Sequence, residues 1–235
     1  MIRLRPYDDT ALEYYEAERH PTSSNFRFAS VVALRRWLRQ VQRKTGWICE
    51  VGAGRSVLAE LSAGDGALLS RLLITDSSMS MLDHSSRWVN RGPRLLLSDA
   101  RSLPFVEHSL EALIAVLGDS YNVPAFWSEV GRVLNPGALT IFTTPSYEWA
   151  SRYRATIPGG LLKTRFDLRD GSELIVDSFI HHHGQQIELI ESSGLLVKET
   201  VHIPLSVLPP ESLSPKLQCL GTDDPVVSAY FAISR

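Results

Sequence analysis

Three carboxylates follow three short apolar runs. Glu50 comes after Trp47-Ile48-Cys49, Asp76 after Leu72-Leu73-Ile74-Thr75, and Asp99 lies shortly beyond Arg94–Leu97. Behind the first stands Val51-Gly52-Ala53-Gly54-Arg55-Ser56. Glycines in such a loop let the backbone turn tightly and approach a ligand where a Cβ would clash. A carboxylate accepts hydrogen bonds from paired hydroxyls or from an amine, and it offsets a positive charge. The set suits a ligand with hydroxyls and cationic groups, held against backbone. It suits a pyrophosphate poorly, because Glu50 sits two residues before the first glycine and would repel it. The third glycine of a dinucleotide fingerprint is also missing, Val57 standing in its place.

The elements that must position these acids alternate. Trp47–Val51 reads as strand and Ser56–Leu61 as the start of a helix. Leu72–Thr75 reads as strand and Met79–Asn90 as helix. Arg94–Leu97 and Ala112–Leu117 are strands, Ala125–Leu134 is helix, and Leu139–Thr144 is strand. Asn135-Pro136-Gly137 is a helix stop and turn. Strand-helix alternation over this length implies parallel pairing with right-handed crossovers. The expected fold class is α/β: a Rossmann-like, seven-stranded, mostly parallel sheet with helices on both faces and a small insertion after the fifth strand. Ahead of it, residues 11–20 look helical, Pro21 to Asn25 is a polar connection, and Phe28–Lys44 is an amphipathic helix with a basic outer face. Beyond Pro145, Thr164–Leu168 and Glu173–Ile180 flank an Asp170-Gly171 turn and read as a hairpin. Gln185–Ser193 is a short helix, and Leu195–Ile203 and Val226–Ile233 are two last strands. The organisation is therefore one domain, 1–235, with leading helices (1–45), a donor-binding core (46–146), an inserted hairpin or lid (147–180), and a terminal helix and strand pair (181–235).

Ligands of open α/β sheets bind outside the carboxyl ends of the strands, so Glu50, Asp76 and Asp99 should converge on one crevice. Asp76 suits the two hydroxyls of a ribose; it also suits a helix N-cap ahead of Met79. Asp99 can accept from the exocyclic amine of an adenine while the Ala100 N–H donates to a ring nitrogen; the alternative is a turn aspartate. Glu50 suits a cationic ligand end. S-adenosylmethionine carries a sulfonium and an ammonium at its methionine end, so Glu50 favours it over a nicotinamide dinucleotide.

Four segments carry a resemblance: Glu50-Val51-Gly52-Ala53-Gly54; Asp76-Ser77-Ser78-Met79-Ser80-Met81-Leu82; Asp99-Ala100 with Leu103-Pro104-Phe105; and Glu129-Val130-Gly131-Arg132-Val133-Leu134-Asn135-Pro136-Gly137. Over about residues 45–145 the chain resembles the class I S-adenosylmethionine-dependent methyltransferases of the small-molecule type. The resemblance implies S-adenosylmethionine as the cofactor. It implies that Glu50 orients the donor's amino group and that Gly52, Ala53 and Gly54 line its methionine part. Asp76 would hold the ribose, Ser77 would lie near the adenine, Asp99 and Ala100 would read the adenine edge, and Leu117 would face the sulfur. Ser56 stands where the family has its third loop glycine, and Ala138 replaces the second glycine after Pro136.

The acceptor side is less defined. Asp119, Tyr121 and Asn122 follow the fourth strand, where an acceptor should arrive. Asp119 is a candidate base or cation site, or else a turn residue. The catalytic candidates are Asp119, Tyr121, Tyr147 and His182. Tyr14 and Tyr15 are expected either to close over the donor or to pack in the core. Tyr147, Trp149, Arg152 and Arg154 are expected on an acceptor wall formed by the 147–180 segment, their basic members hinting at an anionic acceptor. The other reading of that segment is a homodimer contact. Of His181-His182-His183, adjacent residues alternate faces in an extended chain, so no metal is expected.

Composition sets the remaining bounds. The 235 residues carry a formal net charge of −2, which gives no global pull toward nucleic acid or an anionic membrane. The Asn/Asp-Pro-Pro-aromatic signature of base-directed enzymes is absent, which argues against nucleic acid and for a small-molecule acceptor. No run approaches the roughly 20 apolar residues of a membrane span. Two cysteines, Cys49 and Cys219, suggest no disulfide framework, and the expected location is cytoplasmic. Two other classes stand as alternatives: a non-catalytic S-adenosylmethionine-binding scaffold or regulatory subunit, and a nicotinamide-dependent oxidoreductase.

Overall fold

The computed structural model describes residues 6–154 and 162–235. Helix α1 (Pro6–Thr10) is followed by turns, then by the long α2 (Pro21–Gln42). The helix expected over 11–20 is thus a series of turns, and the connection expected at 21–25 is helical. Pro21 explains the shift: its fixed φ and missing N–H suit the first helical position.

The alternating region follows as β1 (Trp47–Val51), α3 (Val57–Leu61), α4 (Gly66–Leu69), β2 (Leu72–Asp76), α5 (Met79–Asp83), β3 (Arg94–Leu97), β4 (Leu110–Ala115), α6 (Pro124–Val133) and β5 (Leu134–Pro145). The helix expected over 79–90 divides into α5 and a 3-10 turn at Ser86–Arg91. Beyond β5 come α7 (Tyr147–Tyr153), β6 (Lys163–Asp167), β7 (Glu173–Asp177), α8 (His183–Glu191), β8 (Leu195–Pro204) and β9 (Pro225–Ser234). Residues 155–161 of the expected insertion lie outside the described residues.

Seven strands form one sheet in the order β3-β2-β1-β4-β5-β9-β8. The first five are parallel, and β9 runs antiparallel to both β5 and β8. The sheet is therefore Rossmann-like and mostly parallel, as the strand-helix alternation requires. Chain order reverses between β1 and β4, and this switch point opens a crevice at the strands' carboxyl ends. Glu50, Asp76 and Leu117 all lie at that edge.

Each face of the sheet buries an apolar layer. On one face Leu34 and Trp37 of α2 pack with Ile48, Ile74 and Ile141. On the other, Phe126 and Trp127 of α6 pack with Val51, Leu113 and Phe142. Trp37 and Trp127 are fully buried; truncating either to alanine is expected to cost about 3–5 kcal/mol. These layers hold the strand ends rigid.

The expected hairpin is present as a separate β6-β7 pair. Gly171 sits at φ 84° in its turn, a conformation that only glycine adopts without strain. The hairpin docks on the leading segment. Phe166 lies 6.2 Å from the Tyr7 ring, 5.7 Å from Tyr14 and 5.7 Å from His20, centroid to centroid. Arg169 bonds both carboxylate oxygens of Glu16, at 2.6 and 2.7 Å.

Candidate active site

The loop after β1 takes its shape from its two glycines. Gly52 and Gly54 adopt φ of 60° and 46°, in the left-handed region. A Cβ on Gly52 would lie 2.6 Å from the Tyr121 ring, and one on Gly54 would collide with the Tyr15 hydroxyl. Tyr121 donates to the Val51 carbonyl at 2.8 Å, and the Tyr15 hydroxyl accepts the Arg55 N–H at 2.7 Å. Two tyrosines therefore cover the loop, one from the leading segment and one from the turn after β4.

Asp76 ends β2 and binds this loop. Its carboxylate accepts from the Gly54 N–H and the Ser78 N–H, both at 2.9 Å. Burial raises its pKa against the backbone N–H groups that lower it. The N-cap of α5 is Ser78, whose hydroxyl accepts from the Met81 N–H at 3.0 Å. The capping role weighed for Asp76 thus falls to its neighbour, and Asp76 faces a cavity.

That cavity measures 570 Å³ and is lined by Gly52, Ala53, Asp76, Ser77, Asp99, Ala100, Leu117 and Tyr121, with Tyr14 and Tyr15 from the leading segment and Val176 and Asp177 from β7. Its volume is in the range of cofactor pockets. Seven of the nine residues expected to hold the donor line it, and Gly54 adjoins it through the bond from its N–H to Asp76. Asp99 accepts the Arg101 N–H and Nε at 2.9 and 3.0 Å on one carboxylate oxygen and Arg101 Nη2 at 2.7 Å on the other, so both oxygens are engaged by its own turn.

Glu50 is the exception. It is fully buried and is not among the residues lining the cavity. Its carboxylate accepts from the Ser56 hydroxyl, from the Val57 N–H at 2.9 Å and from the Leu58 N–H at 3.2 Å. These are the free N–H groups at the start of α3, which a carboxylate satisfies well. Burial pushes the Glu50 carboxyl up to about 7. Glu50 shapes the loop from behind and does not line the cavity.

A second cavity of 680 Å³ adjoins the first and shares Tyr7, Tyr14, Ser23 and Leu117 with it. Leu117 holds a left-handed φ of 55°, an unusual conformation for a branched side chain. The Leu117 N–H donates to Thr143 Oγ1 at 2.9 Å, which pins the turn on β5. Asp119 lines the second cavity. It accepts from the Ser178 hydroxyl, which in turn accepts from Arg154 at 2.8 Å. Burial raises the Asp119 pKa, partly opposed by Arg154. Trp149, Arg154 and Phe166 also face this space.

The remaining acceptor-side expectations fare differently. Tyr147 and His182 pack edge to face at 5.3 Å, and neither lines either cavity. His182 instead caps α8, and His181 and His183 reach Asn122 and Tyr230. Arg152 is engaged by Asp224 and lines neither cavity. Sequence reasoning passed over Tyr7, Ser23, His20 and Lys216, all of which line the second cavity. None carries a motif; the fold alone brings them together. Among the described residues no group of three or more His, Cys, Asp or Glu is placed to hold a metal ion, and no helix is long and apolar enough to cross a membrane.

Comparison with known proteins agrees with this geometry. Residues 49–142 match the family model described as a methyltransferase domain. No curated protein matches the sequence. Among solved structures, a possible histamine N-methyltransferase from Thermotoga maritima superposes with a TM-score of 0.65 at 14% identity, over 98% of this chain and 100% of that one. A chain from the complex of the Haloferax volcanii Trm112 methyltransferase activator with a putative methyltransferase gives 0.64 at 14% identity, over 100% and 99%. Geranyl diphosphate C-methyltransferase from Streptomyces coelicolor A3(2), solved with S-adenosyl-L-homocysteine, gives 0.62 at 14% identity, over 87% and 79%. Over residues 49–142 the chain matches the methyltransferase-domain family, and its fold is the one seen in these S-adenosylmethionine-dependent methyltransferases.

Proposed function

We propose that the chain transfers a methyl group from S-adenosylmethionine to an oxygen, nitrogen or sulfur nucleophile of a small-molecule acceptor. One observation carries this reading: the 570 Å³ and 680 Å³ cavities meet at Tyr7, Tyr14, Ser23 and Leu117. Two reactants seated in adjoining cavities are aligned before they react, and such alignment removes much of the entropic barrier.

The first cavity fits the donor. Asp76 offers carboxylate oxygens beside a glycine loop that no Cβ obstructs. Ala53, Ser77, Asp99 and Ala100 complete the cradle proposed for its nucleoside end. When bound, the donor supplies an activated methyl group on a sulfonium. The chain's own residues do the rest. Leu117 separates donor from acceptor, Tyr14 and Tyr15 close the leading segment over the loop, and Phe166 helps shut water out.

Asp119 is the group proposed to take a proton when the acceptor nucleophile is protonated. It lies two residues beyond Leu117 on the acceptor side, and burial raises its pKa toward the range useful to a base. Arg154, acting through Ser178, holds its carboxylate in place. The open cavity beside Asp119 counts against a non-catalytic scaffold, whose acceptor space would be filled by side chains. The division into leading segment, donor core, lid and terminal strand pair belongs to the same proposal.

A structure with S-adenosylhomocysteine bound tests the reading. The sulfur should face the Leu117–Tyr14 wall and open toward the second cavity. A sulfur turned away from that wall would overturn it.

A further inference from the structure

Most charged groups lining the second cavity are paired directly with an opposite charge; Arg154 meets Asp119 only through Ser178, and Lys216 meets no carboxylate among the described residues. Arg165 pairs with Asp167 at 3.4 Å and Glu173 at 3.2 Å. Lys163 pairs with Asp177 at 2.5 Å, and Arg19 with Glu13 at 3.1 Å. Asp119 faces Arg154 through the Ser178 hydroxyl. Lys216 has no carboxylate partner among the described residues.

Lys216 is built into the cavity wall. It occupies the 3-10 turn Pro215–Leu217, where the capping Ser214 hydroxyl accepts from the Lys216 N–H at 3.2 Å. Its backbone carbonyl accepts from Trp149 Nε1 at 2.9 Å, and its ammonium lies 6.0 Å from the Tyr153 ring. Trp149 and Tyr153 stack at 5.5 Å, so an aromatic slab stands beside the cation. Phe26 packs edge to face on Trp149 at 4.7 Å, and Phe166 lines the same cavity. His20 lines the same space; its Nε2 has no hydrogen-bond partner among the described residues, and its pKa is lowered by burial and by Lys216. A cation left without a partner beside flat apolar walls is matched by a ligand with the same division: an anionic head and an aromatic body.

We propose that the acceptor is an aromatic acid, a planar aromatic body bearing a carboxylate, with the carboxylate held by Lys216 and the ring in the apolar space lined by Phe166, Tyr153 and Trp149. This names the substrate class for the methyl-transfer site and rests on that reading. The nucleophile then lies at the opposite end of the ring, toward Leu117 and Asp119. An amine-bearing acceptor seated the same way would bring its ammonium against Lys216 and be repelled there.

The test is calorimetry on the full chain saturated with S-adenosylhomocysteine. The probes are 4-hydroxycinnamate, salicylate and indole-3-acetate, the primary amide of each, and tyramine. At least one carboxylate should bind about tenfold or more tightly than its amide, the size of one charge-assisted contact. Lys216→Met should remove that preference and Lys216→Arg should retain it, with S-adenosylhomocysteine affinity unchanged in both. Amides or tyramine binding as well as the carboxylates, no carboxylate binding, or a preference that survives Lys216→Met would overturn the acceptor class alone. Failure of S-adenosylhomocysteine to bind the wild-type chain would overturn the methyl-transfer reading beneath it.

Discussion

The Asp76 carboxylate accepts the Gly54 N–H at 2.9 Å, tying the end of the second strand to the loop after the first. The bond fixes the floor of the donor cavity and leaves the carboxylate facing it. Asp76→Ala should therefore weaken S-adenosylmethionine by about 1.5–3 kcal/mol, roughly ten- to 150-fold, as expected for lost bonds to a charged acceptor. Calorimetry with a folded variant, checked by circular dichroism, reads the change. Unaltered affinity would remove Asp76 from the site.

Glu50 makes stability depend on pH. Its folded-state pKa is raised from 4.5 to about 7 by burial. Between those values the folded chain holds a proton that the unfolded chain has lost, so stability falls as pH rises through the window. The effect is of order 3 kcal/mol at most, at 1.36 kcal/mol per pKa unit. His20 and His202, whose pKa values burial lowers, act with the opposite sign, so the comparison must be with Glu50→Gln. Chemical denaturation from pH 5 to pH 8 should show the wild type losing stability relative to that variant. Parallel curves would contradict the shift.

Asp119→Asn should lower acceptor-dependent turnover by about a hundredfold or more, the size of a lost general base, while S-adenosylhomocysteine affinity stays within about twofold. Ser178→Ala should move the acidic limb of the pH–rate profile, because the Ser178 hydroxyl bonds the Asp119 carboxylate. A profile unmoved in both variants would make Asp119 a turn residue only.

Phe166 is the hairpin's anchor on Tyr7, Tyr14 and His20. Phe166→Ala should raise the acceptor KM several-fold and leave the sheet intact, since the hairpin is a separate strand pair. Stopped-flow binding and thermal unfolding separate the two effects. A collapse of global stability with an unchanged KM would make the hairpin structural.

The sheet was legible because its signals are local. Glycines, N-caps and apolar runs recur at the strand–helix junctions, and the acids fall at the strand ends. Glu50 shows where local reading stops. An acid before a glycine loop suits a cationic ligand and a helix N-terminus equally well, and three-dimensional burial decided for the helix. Tyr147 and Arg152 follow the fifth strand in sequence, yet helix α7 turns them away while bringing Trp149 and Arg154 inward. Lys216 and His20 were invisible for another reason. Their neighbours come from distant parts of the chain: Trp149 stands 67 positions from Lys216, and Phe166 and Lys216 are farther still from His20.

The most direct test of the account is a calorimetric titration of the full chain with S-adenosylhomocysteine, run beside one with oxidised nicotinamide adenine dinucleotide. The account predicts saturable binding of S-adenosylhomocysteine at one site per chain, weakened in Asp76→Ala, and no heat of binding from the dinucleotide. Binding of the dinucleotide alone, or of neither ligand, would contradict it.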